Sequence, residues 1–253
     1  MRWSIGPFGA KDLFTLINLM GGVFGLSFIY DGRPDLAGAA VLAGYLLGDT
    51  LDGAVARLTH TSNRFGSEFD TATDHFVQAI VPAVIVFTIY ANAGHKTLGV
   101  FLLAVVTTCA TVRQALFTVA RLSDPLMWCG LPRTVSGFAS MAFVLSRFFF
   151  QRTDTSYVVG AVLVSAFSVM GLLPIPYMTH RGVRRMQGYV KVAILAFLVT
   201  PTIAFFVARA YTFDVLFIWT FGYAVLGWLP LTRDERHSFF VRYREWAADV
   251  SRS

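Results

Sequence analysis

The sequence predicts an all-α integral membrane protein of about eight spanning helices, and three observations carry that prediction. Apolar residues make up 55% of the 253 and charged residues only 14%, against about 25% charged in a soluble domain. Mean hydropathy is +0.59. Stretches such as Leu13–Tyr30, Leu36–Gly48 and Val192–Ala208 contain no Asp, Glu, Lys or Arg, and a spanning helix needs about 20 mainly apolar residues. The runs are continuous rather than alternating, which argues against a β-barrel. The composition excludes a soluble enzyme, a disordered chain and a disulfide scaffold. The two cysteines, Cys109 and Cys129, form no CxxC or metal-binding spacing and read as packing residues.

The elements follow in order from the apolar runs and their Gly, Pro and charged boundaries. Trp3, Ile5 and Phe8 stand among Gly and Pro at the start and form a short interfacial segment. Spans are expected at about 12–30, 35–58, 67–93, 97–121, 134–150, 156–174, 188–210 and 212–231. The tail, 232–253, mixes both charge signs with Phe239, Phe240, Tyr243 and Trp246 and reads as an amphipathic helix at the interface. Fifteen of the 21 Lys and Arg fall in the loops on the side of the N-terminus, five on the other side, and Arg113 within a span. By the positive-inside rule both termini are cytoplasmic. The net charge of +6 is then a topology signal and an attraction to membrane lipids, and needs no nucleic-acid partner.

A charged side chain inside a span is costly and marks function. Here such residues cluster. Helix two ends in Gly-Asp-Thr-Leu-Asp-Gly-Ala-Val-Ala-Arg, and helix three opens with Gly-Ser-Glu-Phe-Asp-Thr-Ala-Thr-Asp. Asp49 and Asp52 share one helix face, Asp70 and Asp74 another. The short loop Leu58–Phe65 makes the two helices antiparallel neighbours, so the four carboxylates are expected to face one another. Four carboxylates together need a counter-charge, and a pair of divalent cations supplies it. Oxygen-only ligation suits Mg²⁺ or Mn²⁺ and argues against zinc. Gly53, Ala56 and Gly66 leave room for a ligand to approach, and Arg57 offers a fork of donors to a phosphate. The set fits a diphosphate. A transporter would show a second acid cluster in its other half, and 134–231 contains none.

These residues carry a resemblance. Asp49-x2-Asp52-Gly53-x2-Ala56-Arg57-x8-Gly66-x3-Asp70-x3-Asp74 resembles, position for position, the signature of the CDP-alcohol phosphotransferase family. The resemblance implies a six-helix membrane core over 1–187, including the N-terminal segment, with the site open to the cytoplasm. Two further helices follow at 188–231, and a cytoplasmic tail at 232–253. It implies a homodimer. It implies displacement of CMP from a CDP-linked lipid, CDP-diacylglycerol or CDP-archaeol, by an alcohol hydroxyl. By position, Asp49, Asp52, Asp70 and Asp74 would hold two divalent ions, and Asp74 would also be the general base. Asp52, Gly53, Ala56, Arg57 and Gly66 would line the CDP-lipid pocket.

The acceptor is read from weaker likenesses. Asn18-Leu-Met-Gly-Gly, Val55-Ala-Arg-Leu, Phe65-Gly66, Thr111-Val-Arg113 and Gly130-Leu-Pro are similar to the phosphatidylserine synthase branch. That branch often has Ser-Phe-Gly where this chain has Val77-Gln78-Ala79. Leu173-Pro-Ile-Pro-Tyr-Met-Thr-His-Arg, with two spans after it, also resembles bacterial phosphatidylcholine synthases. L-Serine is the expected acceptor, with choline, inositol phosphate and glycerol phosphate as alternatives. Arg113, a lone mid-span cation, is the candidate partner for a serine carboxylate, a lipid phosphate or one of the aspartates. Arg121, at the interface, is a second candidate acceptor contact.

Overall fold

In the computed structural model the described residues are 8–49, 63–119, 127–149, 153–179 and 188–250. Among them the chain is helical, with nine helices and a single pair of three-residue strands. It divides into two compact units, Met1–Thr107 and Thr108–Ser253.

In the first unit, α1 is Ala10–Tyr30. Asp12 closes its first turn by accepting from the Gly9 backbone N–H at 2.7 Å. The helix stops at Asp31-Gly32, where Gly32 takes φ +70, a conformation that suits glycine. Helix α2 is Pro34–Gly44, with Pro34 in the first turn, where its missing N–H costs nothing. It runs on as a π-helical turn, Tyr45–Asp49. Helix α3 is Arg64–Asn92, capped by Asn63 Oδ1, which accepts from Gly66 N at 2.6 Å. Phe76–Ile80 within α3 is a second π-helical turn, and the Val81 N–H reaches back to Phe76 O. Helix α4, Lys96–Val119, follows.

Helix α1 lies against α2 and its π-helical continuation at glycines. A Cβ on Gly21 would stand 2.6 Å from Gly44 Cα, and one on Gly48 would stand 2.6 Å from both Asn18 N and Phe14 O. Membrane helices gain packing contact by bringing backbones this close. The core behind them holds Val41, Val77, Val81 and Ile85, all fully buried.

In the second unit, α5 is Arg133–Leu145 and α6 is Asp154–Met170. Helix α7 is Gly188–Val207, with Pro201 inside it, and α8 is Thr212–Leu226. The expected tail helix is present as α9, Arg233–Val250. Thr232 and Glu235 cap it reciprocally: Glu235 Oε2 accepts from Thr232 N at 2.8 Å and Thr232 Oγ1 from Glu235 N at 3.2 Å. Two elements end earlier than the sequence suggests. Helix α5 stops at Leu145 rather than 150, because Ser146 turns extended and Asp214 Oδ1 caps the Arg147 N–H at 2.7 Å. Helix α6 stops at Met170 rather than 174, because Pro174 cannot continue it. The chain released there forms β2, Pro176–Met178, antiparallel to β1, Met127–Cys129. This pairing was not foreseen, since three-residue strands carry no periodic signal.

Three helices among the described residues are long and apolar enough to cross a membrane: Lys11–Tyr30, Arg64–Asn92 and Lys96–Thr118. Helices α5 and α6 are apolar but shorter.

Candidate metal centre

The acidic site is built where the two π-helical turns flank the junction of α2 and α3. Asp49 is the last residue of the first π turn. Asp70 and Asp74 lie one turn apart on the stretch of α3 that precedes the second. One carboxylate oxygen from each of Asp49, Asp70 and Asp74 lies within 4.8 Å of the other two, and all three residues are half-buried. Asp52, Gly53, Ala56, Arg57 and Arg121 lie outside the described residues.

Asp74 is held from two sides. Asn18 Nδ2 on α1 donates to Asp74 Oδ1 at 3.1 Å, and Gln78 Nε2 donates to the same oxygen at 2.8 Å. Both amide residues are buried, each 1% exposed. Sequence reasoning gave neither a role, though Gln78 follows Asp74 by four residues in an apolar run. A buried amide there needs a partner, and the residue on the same face one turn earlier is Asp74.

Lys11 and Asp12, also missed, join the starts of α1 and α3. Lys11 Nζ donates to Gly66 O at 3.0 Å. A Cβ on Gly66 would stand 2.5 Å from Asp12 Oδ1 and 2.8 Å from Lys11 Cε. The Asp12 and Lys11 side chains thus pack closely on Gly66 and would have to shift for a larger residue, whatever Gly66 also does for a ligand. Asp12 Oδ1, Thr15 Oγ1 and Asn18 Oδ1 are buried on α1 and accept no hydrogen bond among the described residues, though Lys11 Nζ stands 3.9 Å from Asp12 Oδ1. Residues spaced by three lie on one side of a helix.

Arg113 belongs to the second unit. It is 8% exposed. Its Nη1 donates to Cys129 O at 2.7 Å and to Gly171 O at 2.6 Å, and its guanidinium lies 4.5 Å from the Phe117 ring centre.

The donor set suits a hard divalent cation: three carboxylates in mutual reach, no sulfur and no imidazole among them. Asp70 makes no hydrogen bond or ion pair among the described residues, which leaves its carboxylate free to ligate. A family model for CDP-alcohol phosphatidyltransferases matches residues 10–226. The chain belongs to that family. It is accordingly a metal-dependent CDP-alcohol phosphatidyltransferase, an integral membrane transferase of phospholipid synthesis.

Individual relatives carry a narrower name. A protein of Helicobacter pylori named CDP-diacylglycerol–serine O-phosphatidyltransferase is 24% identical over 223 residues, 87% of this chain and 91% of its own. The same-named protein of a second strain is 25% identical over 187 residues, 73% of this chain and 76% of its own. A protein of that name from Saccharomyces cerevisiae is 33% identical over 115 residues, 43% of this chain and 40% of its own.

Proposed function

We propose that this CDP-alcohol phosphatidyltransferase moves a phosphatidyl or archaetidyl group from its CDP-linked lipid to the hydroxyl of L-serine, releasing CMP. The observation that carries the transfer chemistry is the meeting of Asp49, Asp70 and Asp74 in a chain of this family. The serine acceptor is supported by the names of relatives at 24% and 25% identity.

Asp49, Asp70 and Asp74, with Asp52, would hold two Mg²⁺ or Mn²⁺ ions. When bound, such ions neutralise a diphosphate and orient an in-line displacement. The residues supply the rest. Asn18 and Gln78 fix the orientation of Asp74 through Oδ1, and the carboxylate so held would ligate and take the proton of the attacking hydroxyl. A primary hydroxyl is a weak nucleophile near pH 7, and a positioned base accelerates its attack by about 10²–10⁴-fold. The buried oxygens Thr15 Oγ1 and Asn18 Oδ1, which accept no hydrogen bond among the described residues, fit the amino and hydroxyl donors of a polar substrate. Gly53, Ala56 and Arg57 complete the CDP pocket in this reading. Arg121 is the sequence candidate that remains for the serine carboxylate. The enzyme acts as a homodimer with its site and both termini facing the cytoplasm.

The test is CMP release by the purified enzyme with CDP-lipid and divalent metal. Serine, choline, inositol phosphate and glycerol 3-phosphate are offered separately. Release with serine alone is expected. Release with another acceptor and none with serine overturns the acceptor.

A further inference from the structure

Within the second unit, a cavity of about 230 Å³ lies between the end of α4, the Gly171–Leu172 turn and the C-terminal helix α9. Arg113 forms part of its wall together with Phe117, Leu172, Tyr243, Trp246 and Val250. The α9 residues stand beyond 10–226, the part of the chain that matches the family.

We infer that this cavity binds the headgroup of an anionic phospholipid, with its phosphate on Arg113. The first argument is charge. Arg113 is nine-tenths buried, and a guanidinium stays protonated. Its two hydrogen bonds both leave from Nη1 and both end on neutral carbonyl oxygens. No carboxylate pairs with it, and Nε and Nη2 make no hydrogen bond, among the described residues. Backbone carbonyls solvate a buried cation without neutralising it, so the charge of Arg113 remains, and the two donors with no partner among the described residues match two oxygens of a phosphate.

The second argument is the rest of the lining, which is aliphatic and aromatic. A free hydrated anion gains nothing from Phe117, Leu172 and Val250, whereas the glycerol and first chain carbons of a lipid do. Tyr243 and Trp246 lie with ring centres 5.5 Å apart on α9, and these two residue types favour the membrane–water interface. The third argument is size. Whole small ligands fill roughly 300–1,000 Å³, so this cavity takes a headgroup and leaves the acyl chains outside.

The inference does not depend on catalysis, and its test reads binding. Full-length protein is reconstituted in phosphatidylcholine nanodiscs. These carry an increasing fraction of either phosphatidylglycerol or phosphatidylcholine brominated near the glycerol. The Trp246 contribution is the quenching lost in Trp246→Phe. Quenching of Trp246 by the anionic lipid is expected at about fivefold lower lipid fraction than by the zwitterionic one, the worth of one cation near an anionic headgroup. Arg113→Met should abolish that preference and Arg113→Lys should keep most of it. Equal quenching of the wild type by both lipids overturns the inference without recourse to any variant. So does a preference that survives in a folded Arg113→Met protein. Inorganic phosphate and L-serine at millimolar concentration should leave the quenching unchanged. Relief by phosphate alone would make this a free-anion site, and relief by serine would make it the acceptor pocket; either result overturns the lipid assignment.

Discussion

Gln78 Nε2 donates to Asp74 Oδ1 over 2.8 Å, along one side of α3. The bond ties the apolar half of that helix to its acidic half at the residue expected to do most in the reaction. Asn18 reaches the same oxygen from α1, so the orientation of one carboxylate depends on two helices.

Gln78→Leu keeps bulk and removes one donor from Asp74. Partners that orient a metal ligand are worth about 10–100-fold in metal affinity. The Mn²⁺ concentration for half-maximal activity should rise by that factor, with the Michaelis constant for CDP-lipid at saturating metal little changed. An unaltered metal titration would show that Asn18 alone suffices.

Asp70→Asn should abolish turnover in a protein that still inserts and folds. The amide keeps the shape and removes the charge of a carboxylate that makes no hydrogen bond or ion pair among the described residues, so folding has little to lose. CMP release above roughly a hundredth of wild type, the lower range of what one positioned catalytic group contributes, would remove Asp70 from the metal centre.

Gly48→Ala and Gly66→Ala should differ in cost. The new methyl at 48 meets the α1 backbone, Asn18 N and Phe14 O, at 2.6 Å, whereas at 66 it meets side chains of Asp12 and Lys11. Side chains can shift and backbone cannot. Overpacking costs about 1–3 kcal/mol, with Gly48→Ala at the upper end. Thermal unfolding in detergent measures the order, and a reversed order contradicts this packing.

Burial pushes the Cys129 thiol from its ordinary 9.0 up to about 11, although Arg113 beside it opposes the rise. Folding therefore favours the neutral thiol. Its contribution to stability is complete below pH 9 and is lost as pH rises through about 11. In a Cys109→Ser background, maleimide should leave Cys129 unlabelled at pH 8 until the protein unfolds. Cys129→Ala should lose less thermal stability than its parent between pH 9 and 11. Rapid labelling of the folded protein at pH 8 would contradict the burial.

The helices, the family and the acidic residues were legible in the sequence because each repeats a simple rule. Apolar runs of bilayer length end at Gly, Pro or charge, and carboxylates on neighbouring helix faces stand out against 14% charge. What supports those carboxylates was harder to read. Asn18 and Gln78 are single polar residues in apolar runs; a four-residue spacing points Gln78 to Asp74, whereas only the packing of α1 on α3 shows that Asn18 reaches it. Lys11 counts among the cations on the side of the N-terminus, and its tie to Gly66 O carries no signal in the sequence. The β1–β2 pairing joins residues 47 to 51 positions apart along the chain, from Cys129–Pro176 to Met127–Met178, through contacts no local pattern encodes.

The two π-helical turns, Tyr45–Asp49 and Phe76–Ile80, set the phase of the helices that contain them. A π turn holds about one residue more than an α turn, and each residue rotates a helix by about 100°. Each turn therefore takes up one residue with little change in the phase of the helix on either side of it. Deleting a single residue within 76–80 would heal the hydrogen-bond ladder into plain α-helix and leave Asp70 and Asp74 nearly in phase with the buried apolar half of α3. Deleting one from the plain α-helical stretch 64–75, after Asp70, would instead swing everything beyond it by about a third of a turn relative to that acid. The two π turns are the places in these helices where a change of one residue in chain length leaves the acids facing the way they do.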